Sequence, residues 1–414
     1  MNGSKVHIHH PCPQCGGRVT LEDTDRLFQC PYCRIRLVLR STPHWTYVLP
    51  AAQPYRSLSL VYVPYWRFRG LVFALDASDV TDRILDTSAP AVPAPGLPPS
   101  LGLRPQAMAL RFFDPTEPGT FLEPTVALPS FLRSLGSGLR GRLKGPAAKI
   151  FYQAFVGESV SVVYTPFFEK EGELWDAVTG RAVGPWPNGL DPDTAGSRPK
   201  SRLLFVPTLC PQCGGDLDGE RDAVVLRCRT CGRFWETSGS SFHRVEASFC
   251  PGAGGESVWI PFWELDAACH GFSLDTFGDF VGLARIPRHL SPQKAARPFR
   301  FWIPAFKIAP RFFLRLARAA TIGQTDTDAS ETLPHGPLYP VTLPSVEAFQ
   351  ACSILLGAAS PAKEELFPKI RKGRLAFHGK RLRYLPLRRL STEWILDVFG
   401  FTLPLNALHW GRTL

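Results

Sequence analysis

Eight of the eleven cysteines fall into four close pairs. Cys12-Pro13-Gln14-Cys15-Gly16-Gly17 precedes Cys30-Pro31-Tyr32-Cys33, and Cys210-Pro211-Gln212-Cys213-Gly214-Gly215 precedes Cys228-Arg229-Thr230-Cys231, with fourteen residues between the inner cysteines each time. A Cys-x2-Cys turn sets two sulfurs on one side of a metal ion, and glycine permits the tight backbone path that points amide N–H groups at them. Two such turns complete a tetrahedron. Cys12, Cys15, Cys30 and Cys33 are therefore expected to hold one Zn2+, and Cys210, Cys213, Cys228 and Cys231 a second. Four thiolates leave no open position for water or substrate, so both ions are read as structural. Iron would accept the same tetrahedron and a redox dithiol would want a βαβ setting, but neither has support in the flanking residues.

The segments that must position these sulfurs read as zinc ribbons. Arg18-Val19-Thr20-Leu21 and Leu27-Phe28-Gln29 flank a turn at 22–25, as a hairpin requires, and 223–226 follow a turn at 218–220 in the second copy. Repetition extends past the cysteines. Val61-Tyr62-Val63-Pro64-Tyr65-Trp66 matches Val258-Trp259-Ile260-Pro261-Phe262-Trp263, Phe121-Leu122-Glu123-Pro124 matches Phe301-Trp302-Ile303-Pro304, and Tyr164-Thr165-Pro166-Phe167 matches Tyr384-Leu385-Pro386-Leu387. The expected architecture is β-rich α+β in two tandem homologous halves, like a homodimer fused in one chain. Its parts are a ribbon over 1–45, a Pro/aromatic module over 46–190, a linker at 191–204, a second ribbon over 205–243 and a second module over 244–414. Proline in such strands suggests an edge or a bulge, and the rings beside it suggest a strand-pair core or, as the alternative, a peptide-binding groove.

On the ribbons and the Pro-aromatic segments, about a third of the chain, the sequence resembles a group of bacterial proteins of uncharacterised activity. In these a TFIIB-type zinc ribbon precedes repeated Tyr-x-Pro-Phe-Trp segments. The resemblance implies no activity. Similar proteins carry a helicase label, which does not transfer, because no Gly-x4-Gly-Lys-Ser/Thr loop is present.

The 414 residues, 44% hydrophobic and 20% charged, exclude a disulfide miniprotein, a coiled coil and global disorder. No apolar run is long enough to span a bilayer, and 1–7 lack the apolar stretch of a signal peptide, so the expected compartment is the cytoplasm. The net charge of +11 falls to about +7 with two tetrathiolate zinc sites. That balance admits nucleic acid or peripheral contact with an anionic membrane. The cations cluster at 285–318 and 369–389. A helix from Pro310 should place Arg311, Arg315 and Arg318 on one face and Phe312, Leu316 and Ala319 on another, to be solvated, to lie on lipid or to grip phosphate. Acidic residues near the ribbon tips, Asp23 and Asp218 among them, should repel a phosphate backbone.

Other candidates are weaker. His7, His9 and His10 could replace a ligand but read as a solvated terminus, and Cys250, Cys269 and Cys352 read as buried free thiols. Glu169, Glu171 and Glu173 read as one solvated strand face, and His243, His270 and His335 lack partners in sequence. No catalytic motif is found and the chain is expected not to be an enzyme. The expected function is a non-catalytic scaffold or adaptor that docks protein partners, with nucleic-acid binding through 285–318 and 369–389 as the alternative.

Overall fold

The computed structural model describes residues 6–76, 79–135, 150–188, 190, 198–238, 241–252, 256–324 and 329–412. The basic residues at 140, 142, 144 and 149, and the 191–197 part of the linker, lie outside them. The fold is β-rich and carries two similar four-cysteine clusters. No helix among the described residues is long and apolar enough to cross a membrane. The chain divides into two compact units, one of Met1–Arg69, Leu85–Gly141 and Ser159–Thr208, the other of Gly70–Ile84, Arg142–Glu158 and Leu209–Leu414.

The first unit is built on a sheet in which Ile150–Lys170 is flanked by Glu173–Asp176 and Trp45–Val48, and reaches His7–Pro11 and Arg18–Glu22 at its far end. Leu27–Gln29 pairs with Arg36–Thr42, which also pairs with Arg202–Pro207, a strand that takes in the last residues of the expected linker and the first of the expected second ribbon. The hairpin foreseen around 22–25 does not form. His7–Pro11 pairs with Arg18–Glu22 instead, so each cysteine knuckle is itself the turn of a hairpin. The 22–25 segment closes on itself through Asp25 N–H to Glu22 O, 3.0 Å, while Asp23 is drawn aside into an ion pair. The core joins Val19, Leu21, Phe28 and Leu39 of the ribbon to Tyr47, Val63, Tyr65 and Phe167, so the ribbon is a wall of the unit and no appendage.

In the second unit Ser257–His270 runs between Phe301–Pro304 and Arg374–Arg389. Here the expected ribbon hairpin is present, with Leu217 and Asp218 opposite Cys228 and Arg227. The core takes in Val224, Val225 and Phe234 of this ribbon, Trp263, Phe301 and Leu385 of the sheet, and Leu71, Phe73 and Leu75 from the end of Val61–Asp76.

The strands that carry Pro64 and Pro261 are central, contrary to the edge expectation. Val61–Asp76 pairs with Ile150–Lys170, Val80–Pro90 and Thr120–Phe121. Pro64 O accepts from Ala91 N at 2.8 Å and Leu122 N donates to Tyr62 O at 3.1 Å, so the proline stands where the neighbour changes from 120–122 to the segment ending at 90–91. Pro261 does the same, with Ala305 N to Pro261 O at 2.9 Å and Tyr339 N to Trp259 O at 2.8 Å. The missing donor costs little at a gap in the ladder. Tyr62, Tyr65, Trp66, Trp259, Phe262 and Trp263 are all buried, which makes the signature core and not groove. The expected match of 121–124 with 301–304 also fails, because Thr120–Phe121 lies parallel to Val61-Tyr62 whereas Phe301–Pro304 runs antiparallel to 262–265.

Candidate metal centres

Two groups of side chains stand out among the described residues: the four sulfurs of Cys12, Cys15, Cys30 and Cys33, and those of Cys210, Cys213, Cys228 and Cys231, each set lying within 4.8 Å of one another. Sγ–Sγ separations are 3.7 Å for Cys12–Cys33, 3.6 Å for Cys15–Cys30, 3.7 Å for Cys210–Cys231 and 3.5 Å for Cys213–Cys228. A disulfide needs about 2.05 Å. A tetrahedron with metal–sulfur bonds of about 2.3 Å has edges of about 3.8 Å, so the donor sets fit a zinc-sized ion.

The local sequence explains the shape. Gly16 and Gly214 take φ of +72° and +70°, reversing the chain after the first pair of each site. Gln14 N donates to Cys12 Sγ and Cys231 N to Cys228 Sγ, each at 3.4 Å. Burial opposes ionisation of Cys30, but N–H groups of Cys33 and Tyr32 and the Cys15 thiol outweigh it and bring it down to about 6. Cys228 is brought to about 6 against burial by Cys231 N–H and the Cys213 thiol. Cys210 is lowered too, by N–H groups of Gln212 and Cys213 against burial, and thiols lowered in this way favour entry of a cation. The first cysteine of each pair is buried, while Cys15, Cys33 and Cys213 are exposed.

The knuckles also differ at the residue that turns the chain after the last cysteine. The residue after the last cysteine is Gly232, φ +72°, in the second site but Arg34, φ +61°, in the first. A side chain in left-handed conformation costs roughly 1–2 kcal/mol, partly offset by the greater freedom glycine has when unfolded. Arg34→Gly is therefore expected to stabilise the metal-loaded protein by about 0.5–1 kcal/mol in urea unfolding, and Gly232→Arg to destabilise it, although nothing lies within 4 Å of a Cβ there. Equal midpoints for wild type and Arg34→Gly would refute the strain.

Ion pairs seat both ribbons. In the first unit Asp23, 5% exposed, accepts from Arg67 at 3.1 Å and Arg69 at 2.9 Å. In the second, Glu236 meets Lys380 and accepts from Ser345 N at 2.8 Å and Ser345 Oγ at 3.0 Å, while Asp222 and Glu220 meet Arg412. Asp218 meets Arg229. Of the acids expected to repel phosphate, Asp23, Asp218, Glu220 and Asp222 are thus engaged within their own units. The Ser345–Lys380 contact, 3.1 Å, is no nucleophile and base: Ser345 is fully buried and the lysine is paired with a carboxylate. Nothing in the sequence links residues so far apart.

No family model matches the chain, and no curated protein or solved structure is similar to it.

The remaining candidates fall elsewhere. None of the histidines at 7, 9 and 10 joins a sulfur group: His9 bonds Thr20 Oγ1 at 3.1 Å, and His10 packs against Phe205 and Phe112. Cys250 and Cys352 are buried as expected, but Cys269 is half-exposed. Glu169, Glu171 and Glu173 are exposed around a tight hairpin turn at Glu171 and Gly172, both with positive φ, and do not line one strand face. His243 bonds Ser241 Oγ at 3.2 Å on an exposed surface. The helix Pro310–Gly323 exposes Arg311, Arg315 and Arg318 as foreseen; of the expected apolar face Leu316 is fully buried and Phe312 and Ala319 are half-buried against the core, while Phe313, Ala317 and Ala320 are buried more deeply. In Arg374–Arg389 the cations are largely paired: Arg383 with Glu264, Arg381 with Asp266, Arg388 with Asp397 and Arg389 with Glu256.

Proposed function

We propose that the chain is a non-catalytic, cytoplasmic scaffold in which two structural zinc ions stiffen two copies of one module for docking protein partners. The observation that carries this reading is the closed four-sulfur geometry, with its outer knuckle surfaces turned to solvent. Tyr32 in the first ribbon is 67% exposed and Leu209 beside the second is 53% exposed. Rings and branched chains on rigid turns are contact surface at small entropic cost.

Recurring hydrogen bonds support the duplication. In the first half Trp66 Nε1 donates to Val126 O at 2.7 Å, Val126 N to Ala91 O at 2.8 Å, Ala91 N to Pro64 O, and Leu49 N to Tyr164 O at 2.9 Å. In the second half Trp263 Nε1 donates to Leu343 O at 2.8 Å, Leu343 N to Ala305 O at 3.1 Å, Ala305 N to Pro261 O, and Cys250 N to Tyr384 O at 2.9 Å. In this alignment Pro304 answers to Pro90. The resemblance to ribbon-plus-Tyr-x-Pro-Phe-Trp proteins fits a repeated module.

Pairing along Arg374–Arg389 speaks against the nucleic-acid alternative for that segment. Anisotropy of labelled single- and double-stranded DNA over a salt series tests it: a scaffold shows no binding near 0.15 M salt, whereas phosphate contacts give a steep negative log–log slope. Affinity capture should recover a stoichiometric protein that Tyr32→Ser or Leu209→Ser releases with the metal content unchanged. Tight DNA binding, or no such partner, refutes the reading.

A further inference from the structure

A cavity of about 810 Å³ opens in the first unit against the hairpin that carries the first cysteine knuckle. Strand alternation explains its lining. Pro11 stands opposite Arg18 and His9 opposite Thr20, and His9 is also in register with Arg111 of Leu110–Phe112. Neighbouring residues of a strand point to opposite faces. Ile8, Val19, Leu21, Leu110 and Phe112 therefore enter the core, while His9, Arg18 and Arg111 turn together onto the other face, where the cavity lies. The remaining walls come from 50–62 and 107–120, with Pro50, Leu58, Leu60, Met108 and Pro118 as their aliphatic part. The volume lies in the range of small-molecule sites, about 300–1,000 Å³.

The three arginines of the lining differ in what they hold. Arg111 is spent on the one carboxylate there, donating to Glu117 at 2.7 Å, and Glu117 also accepts from the Tyr62 hydroxyl at 3.5 Å. Asp114, outside the lining, accepts from Thr116 Oγ1 at 2.7 Å and adds its charge near Arg111. Arg198 donates to the Pro115 and Glu117 carbonyls. Arg18 and Arg56 have no carboxylate partner among the described residues, and Arg56 gives its Nε to Ala51 O at 3.1 Å, which leaves its terminal N–H groups to solvent. Both side chains are exposed, so a ligand can reach them. Their charges act at the cavity: that of Arg56 is felt by the Tyr62 phenol and that of Arg18 by His9. Burial and the charges of Arg18 and His7 hold His9 below its ordinary value, so it adds no charge at pH 7. Two guanidiniums without a carboxylate, set over an aliphatic wall, match an oxyanion head on an aliphatic body. The N–H donors take the oxygens and the wall removes the chain from water.

We infer that this cavity binds a small aliphatic carboxylate, with Arg18 and Arg56 holding the head and Leu58, Leu60 and Met108 covering the chain. Such a site is a second role beside protein docking and does not depend on it.

Calorimetric titration of the full, metal-loaded chain tests this with decanoate, with decan-1-ol, which keeps the chain without the charge, and with acetate, which keeps the charge without the chain. Decanoate should bind saturably at one site per chain. Decan-1-ol should bind at least about tenfold more weakly, and acetate at least about a hundredfold. Arg18→Gln and Arg56→Gln together remove two exposed side chains at little risk to folding and should weaken decanoate about tenfold or more. Arg181→Gln and Arg202→Gln remove as much exposed charge from the same unit outside the cavity and should leave binding within about twofold. No binding of decanoate at about 1 mM, uptake without saturation, equal affinity for decan-1-ol or acetate, or equal loss in both double variants overturns the inference.

Discussion

Stripping the metal with a strong chelator is expected to unfold each ribbon and take most of the tertiary structure with it. Binding of a structural zinc ion is worth roughly 10–16 kcal/mol at neutral pH, as much as or more than the whole stability of an ordinary domain at about 5–15 kcal/mol. The loss should not stay local, because Phe28 and Leu39 pack in one cluster with Tyr47 and Tyr65, and Val225 and Phe234 share theirs with Trp263. Cys12→Ser should halve the metal content from two ions to one, and Cys210→Ser should do the same through the other site. Elemental analysis reads the stoichiometry and also names the metal, with zinc the expected one. Tryptophan fluorescence reads the collapse, since Trp66 and Trp263 lie in different units and are both buried. A metal-free chain with unchanged emission and melting would overturn the structural role of both sites.

The cysteine sites were the most legible part of the sequence because metal ligation is carried by residue type and short spacing, and the knuckle is a local structure. The β-rich character and the buried helix from Pro310 were legible for a related reason, periodicity and proline being local signals. What failed was much of what depends on who pairs with whom, although the hairpin of the second ribbon formed as expected. The 18–21 and 27–29 runs look like two arms of a hairpin, yet Arg18–Glu22 joins His7–Pro11 because the knuckle itself turns the chain. Pro64 and Pro261 look like edge residues, yet they sit in central strands at the point where one neighbour ends and another begins. The Glu264–Arg383 ion pair was invisible for the same reason: the two residues meet only across the pairing of Ser257–His270 with Arg374–Arg389. The clustering of the cations is plain in the sequence, but nothing local shows that Arg388 and Arg389 face carboxylates.

Replacing Asp23 by Asn should destabilise the first unit by about 3–5 kcal/mol, the usual cost of removing one partner from a buried ion pair. The reason lies in what remains. Arg67 and Arg69 are 3% and 8% exposed, and an asparagine in place of Asp23 would offer them an acceptor without a charge. Arg67 keeps Asp86, to which it donates from Nε at 2.9 Å and Nη2 at 2.8 Å, while Arg69 loses the charge on both Asp23 oxygens to which its Nη1 donates at 2.9 and 3.0 Å. Linkage fixes the pH dependence. Burial alone would raise the Asp23 carboxyl, but the charges of Arg69 and Arg67 outweigh it and hold it below its ordinary value. A carboxyl lowered in the folded state gives its full stabilisation above its unfolded value, about 3.9, and loses it as pH falls through the lower folded value. Wild type should therefore lose more stability than Asp23→Asn below about pH 4, and the two urea midpoints should converge there after differing widely at pH 7. Because the metal sites also release protons and metal in acid, the comparison requires direct metal measurement at each pH, with the difference between the two proteins taken only where both remain loaded. A midpoint for Asp23→Asn within about 0.5 kcal/mol of wild type at pH 7 would mean that the ribbon is held by its apolar contacts alone and that the Asp23 pair merely breaks even against its own desolvation.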